Sequence, residues 1–313
     1  MPLEVNNNTA AFNVFRNYDQ NQINLKKSMA RLSSGTKNVS DDASGVGISE
    51  RMRSQIRNSA MARQNVDNGI SLMQTADAWL QKVNDLLSRM SELAVNANDG
   101  TKTPTDIDNL KSEFSALQDE IVRITSRSSS AAKFNGLFLF RGGNGQPTAT
   151  GDSVQTGTIT VQIGADGDQK VGLNLANMEI TNTVSVGTVS SYAYSTNNNV
   201  NGSTHTSVQW SSVIDNTNMS ITSAGAIGKI GQAINFVSNN RAKLGAQQTR
   251  LEQTRSGLIA YEDNLRTAEA KIRDIDIARE STEFSRYQIL TQLGNSMMAQ
   301  ANQLPAAAVQ LLG

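Results

Sequence analysis

Apolar residues recur at helical spacing at both ends of this 313-residue chain, and neither stripe has sequence beside it that could cover it locally. Near the N-terminus Ala11, Phe15, Tyr18, Gln22, Leu25, Met29 and Leu32 step by alternating fours and threes, the seam of a coiled coil with a polar interruption at Gln22. Near the C-terminus Ile289, Leu293, Met297, Ala301 and Leu304 step mostly by fours and form a second narrow stripe. A helix with one apolar stripe must bury it against another element. Each end therefore requires the opposite end of the chain or a neighbouring copy. Phe15, Leu25, Met29, Leu32, Ile289, Leu293, Met297 and Leu304 are the expected subunit–subunit assembly residues.

Between the ends the pattern changes twice. The connector from Arg31 to Gly45 breaks the helical rhythm with Ser, Gly, Asn and Asp. A longer stripe follows: Ile48, Met52, Gln55, Ser59, Ala62, Val66, Gly69, Met73, Ala76, Leu80, Val83, Leu87, Met90 and Ala94. A helix over about 48–98 is roughly 75 Å long at 1.5 Å per residue, the length of a rod. Its small residues allow partner helices to approach closely. The run Asn98–Pro104 ends it, and Ile107, Leu110, Phe114, Leu117, Ile121 and Ile124 predict a return helix folded back antiparallel.

From Phe134 to about Ser223 the period becomes that of short strands, as in Ile159, Val161 and Ile163 and again in Val171, Leu173 and Leu175. Helical spacing returns from Ile227 to Leu265, with Arg241, Gln248, Arg255 and Glu262 at alternate seam positions, where polar residues fix register. The four prolines, Pro2, Pro104, Pro147 and Pro305, all fall outside the predicted helix interiors. The expected fold is mainly α, a long antiparallel coiled-coil-like bundle drawn from both termini with a small β-rich central module.

Composition excludes several functions. Lys plus Arg and Asp plus Glu number 28 each, so the chain lacks the basic field that recruits nucleic acid. There is no cysteine, and His205 is the only histidine, which removes thiol nucleophiles, thiolate metal sites and multi-histidine zinc sites. No run of 18 apolar residues exists for membrane insertion. The first residues lack a basic segment followed by an apolar core, so secretion is expected without a cleaved signal peptide.

Individual motifs reduce to structural roles. Asp41-Asp42, before a predicted helix, reads as a cap rather than an acid–base pair. Gly142-Gly143-Asn144-Gly145 lacks the Gly-Lys-Ser/Thr of a phosphate loop and reads as a turn. Asn201-Gly202-Ser203 and Asn218-Met219-Ser220 match the N-glycosylation pattern within an Asn- and Ser-rich stretch. Trp79 and Trp210 read as packing anchors. No catalytic residue, metal site or cofactor is expected.

The connector SSGTKNVSDDASG, the segment VDNGISLMQ from Val66, the run LSRMSELAVNANDGT from Leu87 and Phe134-Asn135-Gly136 together resemble bacterial flagellin. So do IRDIDIARESTEFSRYQILTQLGNSMMAQANQLP from Ile272 and the final Leu311-Leu312. The central module does not carry the resemblance. The resemblance implies a subunit that polymerises into the extracellular flagellar filament, a helical propeller for swimming. Residues 1–43 and 273–313 would form an inner helical layer, and 44–180 with 225–272 a rod layer around it. Residues 181–224 would be a variable surface segment.

It also implies partners: the flagellar export chaperone and secretion apparatus, the filament cap and the hook-associated junction proteins. A host innate immune receptor would contact Arg89, Glu92 and Leu93, although Ser88 and Ser91 replace the Gln and Arg common in the family and remove two long polar contacts. Two other functions remain open at this point, the hook–filament junction protein of the same family and a filament-displayed adhesin using the central module. Because the terminal stripes are uncovered in one copy, folding of the ends is expected to be coupled to assembly.

Overall fold

The computed structural model describes residues 9–126, 130–140, 158–175, 178, 185–191, 204–214, 219–223 and 225–312. Its elements are α1 (Thr9–Ser34), α2 (Ala43–Ala97), α3 (Pro104–Thr125), β1 (Lys133–Phe134), β2 (Leu137–Phe138), β3 (Thr158–Gln162), β4 (Lys170–Asn174), β5 (Ser185–Ser191), β6 (Thr204–Gln209), α4 (Ser211–Ile214), α5 (Ala226–Arg273) and α6 (Ile277–Leu312). The fold is mainly α with a small β-rich middle. The chain divides into two compact units, Met1–Arg57 with Tyr261–Gly313, and Asn58–Ala260.

In the Asn58–Ala260 unit the α2 stripe is buried without a break. Ser59, Ala62, Val66, Met73, Ala76, Leu80, Val83, Leu87, Met90 and Ala94 are all in the interior. Two helices cover it. Arg89 pairs with Glu113 and Lys82 with Glu120, so α3 rises in sequence as α2 falls and the two are antiparallel. On α5, Arg241 pairs with Asp77 and Arg255 with Asp67, each at 2.7 Å, which sets a second antiparallel register. Of the four polar seam positions on α5, these two arginines reach across to α2. Gln248 and Glu262 instead bond within their own helix, to Glu252 and Arg266.

The return helix begins at Pro104, because Thr103 and Asp106 form a reciprocal capping box and Pro104 occupies the first helical position. Phe114, Ile121 and Ile124 complete the core on its inner face. The turn between β1 and β2 is Asn135-Gly136, with φ of 47° and 80°. Positive φ at both central residues fits the tight hairpin turn that Asn-Gly favours.

The β3–β4 hairpin lies against α2 and α5. A Cβ on Gly69 would meet Leu251, Leu173 and Val161 at 3.4–3.6 Å, so the missing side chain permits this approach. Gln247 on α5 reads the strand edge directly, accepting from the Asn174 amide at 2.8 Å and donating to its carbonyl at 3.1 Å. Trp210, at the end of β6, is fully buried. Its indole N–H donates to the Met178 carbonyl at 2.8 Å, and its ring lies 5.7 Å from that of Phe236. Trp79 is half-buried, with Lys82 above its ring at 5.9 Å.

In the other unit α1 packs along α6. Gly35, at φ 69°, ends α1 in the left-handed conformation that glycine adopts without a Cβ penalty. The connector then pairs with the segment before α6. Lys37 N donates to Arg273 O at 2.8 Å and Ile275 N to Gly35 O at 3.2 Å. Asp276 caps α6 through the amides of Ala278 and Arg279.

Asp42 caps α2, accepting from the Gly45 amide at 2.8 Å. Asp42→Ala is expected to lower the stability of the Met1–Arg57 and Tyr261–Gly313 unit by about 1 kcal/mol, read by amide exchange at the start of α2.

Three elements depart from the sequence reading: α2 starts at Ala43, within the expected connector, α4 is a short helix within the expected strand region, and α6 runs through a proline. Pro305 lies inside α6, which continues to Leu312. Proline removes one helical N–H, but the following Ala306, Ala307 and Ala308 are the strongest helix formers and sustain the helix beyond it. Pro147 and Gly142–Gly145 lie outside the described residues, as does the Asn201-Gly202-Ser203 motif, together with Asn218 of the second glycosylation match. His205 sits in β6 opposite Ser190.

Candidate assembly surface

Pairing of α1 with α6 covers only part of each terminal stripe. On α1 the side turned toward α6 carries Ala11, Tyr18, Gln22, Leu25, Ser28 and Leu32, all half-buried except Ser28, which is buried. Gln22, the polar interruption, donates to the Tyr18 hydroxyl at 2.7 Å and is satisfied within its own helix. Phe15 and Met29 belong to the same sequence stripe but expose more than half of their surface, as does Phe12. They lie along one flank of the seam.

On α6 the covered side is Phe284, Tyr287, Leu290, Gly294, Met298 and Ala301. A Cβ on Gly294 would stand 3.0 Å from the Tyr18 ring, so the glycine allows the ring to lie against the helix. Ile289, Leu293 and Met297 each expose more than half of their surface. The two sequence stripes are thus not a single seam facing itself within the chain. The small residues of α6 receive α1, and the large aliphatic residues stand beside that contact. The side chain of Leu304 lies outside the described residues. Within the single chain each terminal helix has the other as a partner.

A charged cluster fixes this pairing at the base of the helices. Arg31 holds Asp41 with two contacts, at 2.8 and 2.9 Å, and reaches Glu280 at 3.6 Å. Ser28 donates to the Glu280 carbonyl at 3.4 Å. The Arg31 guanidinium holds the Asp41 carboxyl below its ordinary range, against the opposing effect of burial. Arg273 does the same to Glu50 at 2.5 Å. A carboxylate whose pKa is lowered by folding stabilises the fold above the unfolded value, about 3.9 for Asp, and that stability is lost as pH falls through the folded value. The terminal unit is therefore expected to loosen below about pH 4, seen as faster amide exchange in the last turn of α1. Asp41→Asn should remove the Asp41 part of that dependence and leave the part due to Glu50.

The three residues named for receptor contact are not equivalent. Arg89 and Glu92 are exposed on α2 and bonded to each other at 3.0 Å, and Arg89 also holds Glu113 at 2.8 Å. Leu93 is only 2% exposed and belongs to the core cluster with Phe114 and Met90. It offers no surface to a partner in this fold. Among the described residues there is no group of three or more His, Cys, Asp or Glu suited to a metal ion, and no helix long and apolar enough to cross a membrane.

Residues 5–145 match the model of the bacterial flagellin N-terminal helical region, and residues 227–312 that of the bacterial flagellin C-terminal helical region. The chain belongs to the bacterial flagellin family. Its similarity to individual flagellins runs from end to end. It is 36% identical to the flagellin of Bacillus subtilis over 99% of this chain and 100% of that one. To the flagellin of Halalkalibacterium halodurans it is also 36% identical, over 98% of this chain and 99% of the relative. To the flagellar filament 33 kDa core protein of Treponema phagedenis the figures are 34%, 98% and 99%. Both flagellin regions therefore flank the β-rich middle, and the uncovered flanks of α1 and α6 lie within them.

Proposed function

We propose that this chain is the repeating structural subunit of a bacterial flagellar filament, a homopolymer outside the cell that turns motor rotation into thrust. One observation carries the reading: in a flagellin-family chain, both terminal helices keep large apolar side chains in water after they have paired with each other. Burying one such side chain contributes about 1.5–3 kcal/mol, so Phe15, Met29, Ile289, Leu293 and Met297 together supply ample drive for association. The chemistry is mechanical rather than catalytic. Packed helices that slide between discrete arrangements let a filament adopt different supercoils.

The experiment is elongation of filament fragments by purified subunit. Long helical polymers are the expected product, whereas rings or no growth would favour the hook–filament junction protein. The relatives matched along nearly their whole length are named as flagellins and filament core proteins, which gives no support to the junction or adhesin readings. Family resemblance extends the proposal to export through the flagellar secretion apparatus with a chaperone and without a cleaved signal peptide. The same resemblance supports contact with cap and junction proteins at the filament ends. Receptor recognition on the free subunit falls to Arg89 and Glu92, with Leu93 supporting the helix from within.

A further inference from the structure

The chain has ten methionines, and the structure sorts them by access to solvent. Met73, Met90, Met178 and Met219 are buried in the Asn58–Ala260 unit. Met29, Met61 and Met297 each expose more than half of their surface. Two of these three stand on the uncovered apolar flanks, Met29 on α1 about four turns beyond Phe15 and Met297 on α6 one turn beyond Leu293. Met61, on α2, is an exposed methionine of the other unit and not part of those flanks.

We propose that Met29 and Met297 are oxidation sites that gate the addition of subunits. The proposal rests on the filament reading above. One molecule of hydrogen peroxide transfers one oxygen atom to each thioether sulfur. The sulfur lone pair forms the new S–O bond, the O–O bond breaks, and the peroxide's other oxygen leaves as water. Sulfur loses two electrons and the peroxide is reduced by two. The resulting sulfoxide is a strong hydrogen-bond acceptor on a side chain that was apolar.

In the free subunit this change costs little, because the sulfoxides of Met29 and Met297 remain hydrated. Between copies it takes two polar oxygens out of water and into a contact formed by apolar flanks. Oxidised subunits are therefore excluded from growth, while subunits already in a filament have both sulfurs covered. A dithiol-dependent methionine sulfoxide reductase reverses the reaction, two thiols becoming a disulfide as the oxygen leaves as water, so the excluded subunit is recoverable. Buried Met73 and Met90 react more slowly, which keeps the core intact under the same treatment.

The test treats full-length subunit with hydrogen peroxide, maps sulfoxides by peptide mass spectrometry and measures seeded elongation. Oxidation is expected at Met29, Met61 and Met297 ahead of Met73 and Met90, with elongation slowed about tenfold or more, each tenfold being about 1.4 kcal/mol of lost contact. The double variant Met29→Leu with Met297→Leu is compared with its own untreated rate, and peroxide should not slow it further, although Met61 is oxidised. An equal loss in the treated double variant overturns the proposal.

If leucine at these positions itself prevents growth, preformed wild-type filaments decide. Met29 and Met297 are expected to be oxidised far more slowly there than in free subunit, and equal rates overturn the proposal. Failure of untreated wild-type subunit to elongate would count against the filament reading instead.

Discussion

Leu293→Asp is expected to abolish seeded elongation while leaving the free subunit folded. Leu293 exposes 53% of its surface in the single chain, so an aspartate there stays hydrated and has no core to disturb. Surface substitutions of this kind usually change stability by no more than about 0.5 kcal/mol. When a neighbouring copy covers the flank, the same carboxylate must lose its water or take up a proton. Its immediate neighbours one turn away are Ile289 and Met297, which offer no compensating charge. The penalty is several kcal/mol, so growth should fall by more than about a hundredfold.

Circular dichroism and amide exchange check the fold, and electron microscopy of seeded reactions checks growth. Leu25→Asp is a poorer probe. Leu25 is half-buried on the side of α1 turned toward α6, so its replacement weakens the pairing within one chain as well as between chains.

Trp210→Ala destabilises the Asn58–Ala260 unit by about 3–5 kcal/mol, the range for deleting a buried aromatic ring. The cost has two parts. Removal of the ring leaves a cavity beside Phe236, and the Met178 carbonyl loses its 2.8 Å donor. Trp210→Phe restores much of the volume but not the donor, and its expected cost is about 1–3 kcal/mol. Differential scanning calorimetry should place the transition of the alanine variant on the order of ten degrees below the wild type. Wild-type stability of the Trp210→Phe variant would show that the Trp210 anchor contributes nothing beyond filling space.

The rod helix begins at Ala43, about five residues before the expected start, but from Ser59 onward its stripe is legible in the sequence to the residue. Every position from Ser59 to Ala94 assigned to its stripe is covered, because α3 and α5 lie on it in fixed antiparallel registers and leave little of the stripe open. Arg241 and Arg255 were recognisable as register residues because a polar side chain in an apolar seam needs a partner, and Asp77 and Asp67 provide one. Gln248 and Glu262 satisfied the same pattern but found partners a turn away on their own helix. Sequence spacing does not distinguish those two outcomes.

The terminal helices were only half legible. Hydrophobic periodicity registers large aliphatic residues, and on α6 it selected Ile289, Leu293 and Met297. The contact with α1 uses Gly294 and Ala301 instead, where the useful property is small size. On α1 the apolar arc is wider than one partner covers, so a single stripe contained both half-buried Leu25 and exposed Phe15. Leu93 was misplaced for a related reason. α2 is covered by two helices, so burial extends beyond the main stripe at Ala94 to its neighbour Leu93.

Subunit contacts along the uncovered flanks are the central claim, and a density map of filaments grown from the purified chain tests it most directly. Phe15, Met29, Ile289, Leu293 and Met297 should each be enclosed by side chains of neighbouring copies, with α1 and α6 of one copy still paired as in the single chain. Filaments in which these five side chains face open solvent would contradict the account.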